Sequence, residues 1–257
     1  MSALSSNELA AGFEVGVWLW ARVIPLFMLT PYLALGTTSA SFSVVFSLAF
    51  ACVATPLFMR AGVAPWTGSF GWTIASELVR GVCVACGCGL PLLALRMGGA
   101  VADTLSGWSL DAAAGSGRLA RVSGWAGMVT AAGAGGVLGA LRLLFEPGVL
   151  PPLGTPLVDV GRLRELLWSL SELLFRAIAL GITLSAPLLL GVFVVAIVLG
   201  VCVRVYPTAA LRALGASLLP WFCFALFCLA LARWLNFVPE MMRGFAQSAT
   251  RLLTGLP

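Results

Sequence analysis

Runs of about 20 apolar residues follow one another along almost the whole 257-residue chain. They cover residues 13–35, 42–59, 72–97, 122–145, 173–203 and 214–238. Each is close to the ~20 residues that carry a helix across a bilayer. In lipid the backbone must satisfy its own hydrogen bonds, which restricts spanning structures to helices and closed barrels. The period-two alternation of a barrel strand is absent from these runs. Only 10% of the residues are charged and 60% are hydrophobic, against about 25% charged in a soluble domain. The reading is an all-α integral membrane protein of about six hydrophobic helical segments. With no room between the runs for a separate soluble unit, residues 1–257 form a single membrane-embedded domain.

The N-terminus carries Glu8 and no basic residue before Arg22. A cleaved signal peptide has a positive leading region, so the first apolar segment is expected to be retained. All 15 basic residues are Arg, for a formal net charge of +5. They are scattered singly, without the basic cluster and interleaved aromatics of a nucleic-acid interface, so no nucleic-acid partner is expected. Arg residues divide almost evenly between alternate segment ends, which leaves membrane orientation unassigned by the positive-inside rule.

The chain contains no His and no Lys. That excludes Ser–His and Cys–His nucleophilic sites, His-ligated zinc and the phosphate-binding Lys of a P-loop. Cys83, Cys86 and Cys88 form a C-x-x-C-x-C, but inside an apolar run and without a second ligand pair, so they read as small helix filler. The acids are dispersed. No catalytic site, metal or cofactor is expected.

Two patterns remain. Ser123, Gly127, Ala131, Gly135 and Gly139 recur every fourth residue and, on a continuous helix, share one face. Small residues on such a face let two membrane helices approach closely. Gly81, Ala85 and Gly89 repeat this more weakly. The second pattern is charge within apolar segments, which is costly in lipid and marks function by default. Arg22, Glu77 and Arg80 within the runs, and Asp103 flanking the far end of the third, are the candidates. Glu77 and Arg80 are one helical turn apart. The alternative reading is mutual neutralisation near helix ends, and it applies more strongly to Glu172–Arg176. Residues 160–174 are amphipathic and suit a surface helix, the exposed end of the fifth helix, or a partner-binding face. Pro25, Pro31, Pro91, Pro187 and Pro220 each remove a helical hydrogen bond and are expected to kink or break their segments.

Specific stretches then resemble a known family. ARVIPLFMLTPYLALG at 21–36 places an Arg, a Pro three residues on, Pro-aromatic-Leu and a Gly. ELVRGVCVACGCGLPLLALRMGGAVADTLSG at 77–107 combines a Glu, glycines, Leu-Pro, Ala-Leu-Arg and a Gly-acid-Gly ending. Pro187–Leu189 and LGVCVRVYP at 199–207 complete the set. Over residues 21–235 the chain resembles the SctT family of type III secretion, whose flagellar counterpart is FliR. It departs from that family at 39–44, at Ala196 and at 208–211. The resemblance implies helical hairpins packed against SctR-like and SctS-like subunits in an export gate of the bacterial inner membrane, beside an SctU-like subunit. The implied role is structural, in a channel for unfolded polypeptides in transit. The competing reading from the residues alone is a small-solute secondary transporter, which broken helices and buried charges also suit.

Overall fold

The computed structural model describes residues 6–37, 39–60, 69–106, 117–145, 153–154, 160–206 and 209–254. Among them are seven helices and no strand. These are α1 (Ser6–Leu35), α2 (Ala40–Arg60), α3 (Phe70–Ser106), α4 (Arg118–Gly133), α5 (Gly136–Phe145), α6 (Val160–Val205) and α7 (Ala209–Thr254). Five of them (α1, α2, α3, α6 and α7) are long and apolar enough to cross a membrane.

α3 is the axis of the molecule. α1, α4, α5, α6 and α7 all pack on it, while α2 packs on α1. The best apolar window of α3 is 72% buried, against 11% for α6 and 17% for α7. Glycines distributed around α3 explain how it takes so many neighbours. A Cβ on Gly81 would strike the Arg22 carbonyl of α1. One on Gly98 would lie 2.7 Å from the Trp234 ring of α7, and one on Gly99 would lie 2.7 Å from Ala120 Cα of α4. Where apolar helices gain nothing by leaving water, such backbone proximity supplies the dispersion contact that holds them. Leu92, Leu95, Val84 and Cys88 of α3 then join Val23, Phe227, Trp234 and Val238 in the main core.

The fourth apolar segment is not one helix. It divides at Ala134 and Gly135, where Gly135 adopts φ +75°. Left-handed backbone is open to Gly at little cost, and Gly133, Gly135 and Gly136 cluster at the division. At ~1.5 Å per residue, the 16 residues of α4 and the 10 of α5 reach about 24 and 15 Å, short of a ~30 Å hydrocarbon layer. The five-residue ridge therefore does not exist as one face. Ser123, Gly127 and Ala131 are buried on α4. Gly135 lies in the turn and Gly139 is exposed on α5, each with open space where a Cβ would stand.

The prolines do not break helices. Pro25, Pro31, Pro56, Pro91, Pro187, Pro220 and Pro239 all lie inside helices that continue past them. The amphipathic stretch at 160–174 is the continuous N-terminal part of α6. α7 extends well beyond residue 238, because Val238, Met242 and Ala249 keep one face buried after the polar residues begin. Two helices reach beyond the apolar runs at 72–97 and 122–145. α3 runs on to Ser106 and α4 starts at Arg118, while residues 61–68, 107–116, 146–152 and 155–159 lie outside the described residues.

α6 and α7 have 46 residues each, or about 69 Å of helix. They pack on each other and on α3 but present Phe175, Ile182, Leu190, Phe193, Trp221 and Leu229 outward. The chain exposes 14778 Å², against roughly 11,000 Å² for a compact soluble monomer of its 26.8 kDa mass.

Gly124→Val tests the close packing, since a Cβ at Gly124 would strike the Ala34 carbonyl at the end of α1. The expected cost is about 1–3 kcal/mol, read as a lowered melting temperature in detergent. Gly200→Ala, where a Cβ meets nothing within 4 Å, is expected to leave that temperature unchanged or raised.

Candidate functional site

α3 carries Glu77 and Arg80 one turn apart, and α1 runs beside it closely enough to bring in Arg22. Arg22, Glu77 and Arg80 are each no more than 2% exposed. Arg22 Nε donates to Glu77 Oε2 at 2.5 Å, and Arg80 Nη1 donates to Glu77 Oε1 at 2.7 Å. Two further bonds recruit backbone from the end of the α5 region. The Gly154 N–H donates to Glu77 Oε1 at 3.0 Å, and Arg22 Nη1 donates to the Leu144 carbonyl at 3.0 Å.

The electrostatics follow from that census. Among the described side chains, the Glu77 carboxylate is shared by the guanidinium groups of Arg22 and Arg80. Leu144 lies in the last turn of α5, where the helix dipole places partial negative charge. The carbonyl that Arg22 reaches therefore gives its guanidinium a second, partly negative acceptor. Glu77 receives a donor from α1, from its own helix and from the turn at 153–154, so neither of its oxygens is left unsatisfied. Gly154 has φ +84°, and a Cβ there would press on the Trp18 ring at 2.9 Å. A side chain at 154 is excluded by backbone conformation and by space together.

Asp103 belongs to a different site. It stands 26 residues after Glu77 on the same helix, about 39 Å along the axis. Its Oδ1 accepts the Leu119 N–H at 3.0 Å and its Oδ2 accepts the Ala120 N–H at 2.9 Å. These are the second and third residues of α4, whose N-cap is Gly117, a residue with no side chain to offer. Asp103 supplies the cap from α3, and its charge meets the positive end of α4. A Cβ on Gly117 would collide with the Asp103 carboxylate, so the absent side chain is a condition of the contact.

The candidate charges thus fall into two architectural clusters. The small-residue face reduces to Ser123, Gly127 and Ala131. Glu172 and Arg176 pair at 2.6 Å with both side chains more than half exposed. Cys83, Cys86 and Cys88 are free thiols along α3. Among the described residues no group of three His, Cys, Asp or Glu side chains is gathered to hold a metal. Leu144 and Gly154 contribute only backbone, and nothing in residue type announces them. Gly117 and Gly36 carry a weak signal as glycines after or before an apolar run. Gly36 (φ +75°) follows α1, and the Arg96 guanidinium fills the space a Cβ there would need. That puts a cation at a helix C-terminus, where the dipole favours it.

Glu77→Gln removes the carboxylate that buried Arg22 and Arg80 share and is expected to cost about 3–5 kcal/mol. Replacing Arg22, Glu77 and Arg80 together by Leu should recover most of that loss, because the shared carboxylate and both guanidinium groups leave as a unit. Thermal unfolding of the purified variants in detergent measures both; an equal loss in the triple variant would show that the cluster does more than neutralise itself. Asp103→Ala removes the α4 cap and is expected to cost about 0.5–2 kcal/mol, visible in the same assay.

The chain matches the family of bacterial export proteins, family 1, over residues 13–245. A search among curated proteins returned no match. The matched span includes both ionic clusters, the α4–α5 division and nearly all of the α6–α7 pair. By that match the chain belongs to the bacterial export proteins of family 1, the FliR/SctT family, and is a membrane protein of a bacterial export apparatus.

Proposed function

We propose that this protein is a structural subunit of the export gate of a type III secretion system, virulence-type or flagellar, in the bacterial inner membrane. It would form part of the channel for unfolded polypeptides. SctR-like and SctS-like subunits would complete the gate, with an SctU-like subunit beside it. The observation that carries this reading is the α6–α7 pair. Helices of about 69 Å overshoot a ~30 Å hydrocarbon layer, and on α6 exposed apolar side chains recur from Leu167 to Val205, about 57 Å of helix. Lipid alone would leave part of this surface in water. Neighbouring apolar helices would cover it, as in a multi-subunit assembly.

The ionic clusters support the same reading. Both are consumed by interhelical bonds: Glu77 with α1 and the 153–154 turn, Asp103 with α4. A solute transporter keeps ionisable groups at a binding site between its repeats, whereas these groups brace helices. The channel would be lined by surfaces that the subunits create together.

Deletion of the gene is expected to abolish export of every substrate of its system. Loss of a single substrate with the rest intact would overturn the gate role. Extraction of a tagged copy in mild detergent, followed by native sizing and mass spectrometry, is expected to yield one large particle with two other small apolar helical proteins. A lone monomer or homodimer would return the transporter reading to the front.

A further inference from the structure

Past Leu229 the outward face of α7 changes character. Before that point its exposed large side chains are apolar: Leu218, Trp221, Phe222 and Leu229. Arg233, Asn236, Glu240 and Arg243 follow, all exposed. Their spacing of three, four and three residues puts them on one helical stripe. The other side of the same turns is buried, through Trp234, Val238 and Met242. Among the described residues of α7, Phe237 is the one large apolar side chain left exposed beyond Leu229. α6 does the reverse at the same height, which α3 fixes. Gly98 of α3 receives the Trp234 ring and Gly87 receives Phe245 and Ala249 of α7. Between them Leu90 packs with Leu173 and Ala177 of α6, and Ala94 and Met97 meet Gly181. Over these turns α6 exposes Leu174, Phe175 and Ile182, while its charges Glu172 and Arg176 pair with each other.

We propose that the α7 stripe of Arg233, Asn236, Glu240 and Arg243 lines the water-filled passage of the export gate and is a surface along which the unfolded polypeptide moves. The inference rests on the gate reading given above and adds which face of this subunit looks inward. A single solvent at this height does not suit both helices. Hydrocarbon on all sides would surround Arg233, Glu240 and Arg243, at about 2.5–3.5 kcal/mol for an Arg at mid-layer. Water on all sides would leave Leu174, Phe175 and Ile182 of α6 uncovered. Two environments at one height satisfy both: apolar cover on the α6 side and water on the α7 side. A channel built from several subunits has that pair of surfaces, one packed on its neighbours and one facing the lumen. The chemistry of the stripe also suits its cargo. Hydrated guanidinium, amide and carboxylate groups give the apolar side chains of an unfolded polypeptide nothing to bury against, so the chain is not held as it passes.

The test introduces single thiols by Asn236→Cys and Glu240→Cys, with Phe175→Cys on α6 as the comparison. Export measured in each variant strain establishes that the complex has assembled. The isolated complex is then treated with a small hydrophilic methanethiosulfonate, with and without a stalled export substrate. Labelling of each introduced thiol is read by peptide mass spectrometry, so the native cysteines do not interfere. The reagent needs an accessible, hydrated thiolate. Fast labelling at 236 and 240 is expected in the empty complex and is expected to be lost when substrate is stalled. Labelling at 175 is expected to be slow in both states. Fast labelling at 236 and 240 that the substrate leaves unchanged puts the stripe on an outer wetted surface and overturns the proposal. Slow labelling there in both states means that a partner subunit covers the stripe, and overturns it too. In either case a stalled substrate that co-purifies with the chain leaves the gate reading standing. A substrate that never associates with the complex removes the gate reading and this inference with it.

Discussion

A carboxylate sealed from water must find its donors inside the fold, and Glu77 finds them on three segments of the chain. Arg22 arrives from α1, Arg80 from the next turn of α3, and the Gly154 N–H from the turn beyond α5. The same residue that brings the charge also sets the packing. While the Arg22 side chain reaches Glu77, its carbonyl abuts Gly81, one turn further along α3. Charge pairing and backbone proximity therefore demand the same rotation and the same height of α1 on α3. A slip of one residue along either helix would break both together. A buried pair of this kind is weak evidence for net stability, but it is strong evidence for a specified register.

Asp103 repeats the principle near the far end of α3. Its carboxylate meets two backbone N–H groups at the start of α4 and holds that helix on α3. Beside it, Gly99 receives Ala120 and Ser123 of α4, so the small-residue face and the cap act on one junction. Between the two acids lie Gly87, Gly89 and Gly98, which admit α7, α1 and α7 in turn. The polar groups of α3 thus specify position, and its glycines permit contact. α6 and α7 are built on the opposite logic. Their inner faces meet α3, and the outer face of α6 remains apolar over a length that one bilayer cannot cover.

Much of this was readable from residue order. Helical class, membrane embedding and the positions of the long apolar segments follow from the spacing of charges and the length of apolar runs, because lipid leaves the backbone no other solution. Arg22, Glu77 and Arg80 stood out through the rarity of charge in such runs, and Asp103 as an acid just past the end of one. Arg22 and Glu77 stand 55 residues apart, however, and no periodicity links residues on different helices. The small-residue ridge failed for a local reason. A four-residue repeat assumes an unbroken helix, and three closely spaced glycines supplied a left-handed turn instead. Among the described residues the prolines did not end their helices: Pro25, Pro31, Pro91, Pro187 and Pro220 each lie within a helix that runs on past them.

Residue order alone settled the solvent of this protein, its helical class and which of its polar groups would be costly to bury, since each depends on local composition and on the energetics of a peptide group in lipid. Three-dimensional packing settled where those costs are met. Glu77 is satisfied partly by the backbone N–H of Gly154, Arg22 partly by the carbonyl of Leu144, and α4 is capped by an acid on another helix. Backbone N–H and C=O groups are alike at every residue. Their availability depends on which helix end happens to lie alongside, and that is a property of the assembled fold.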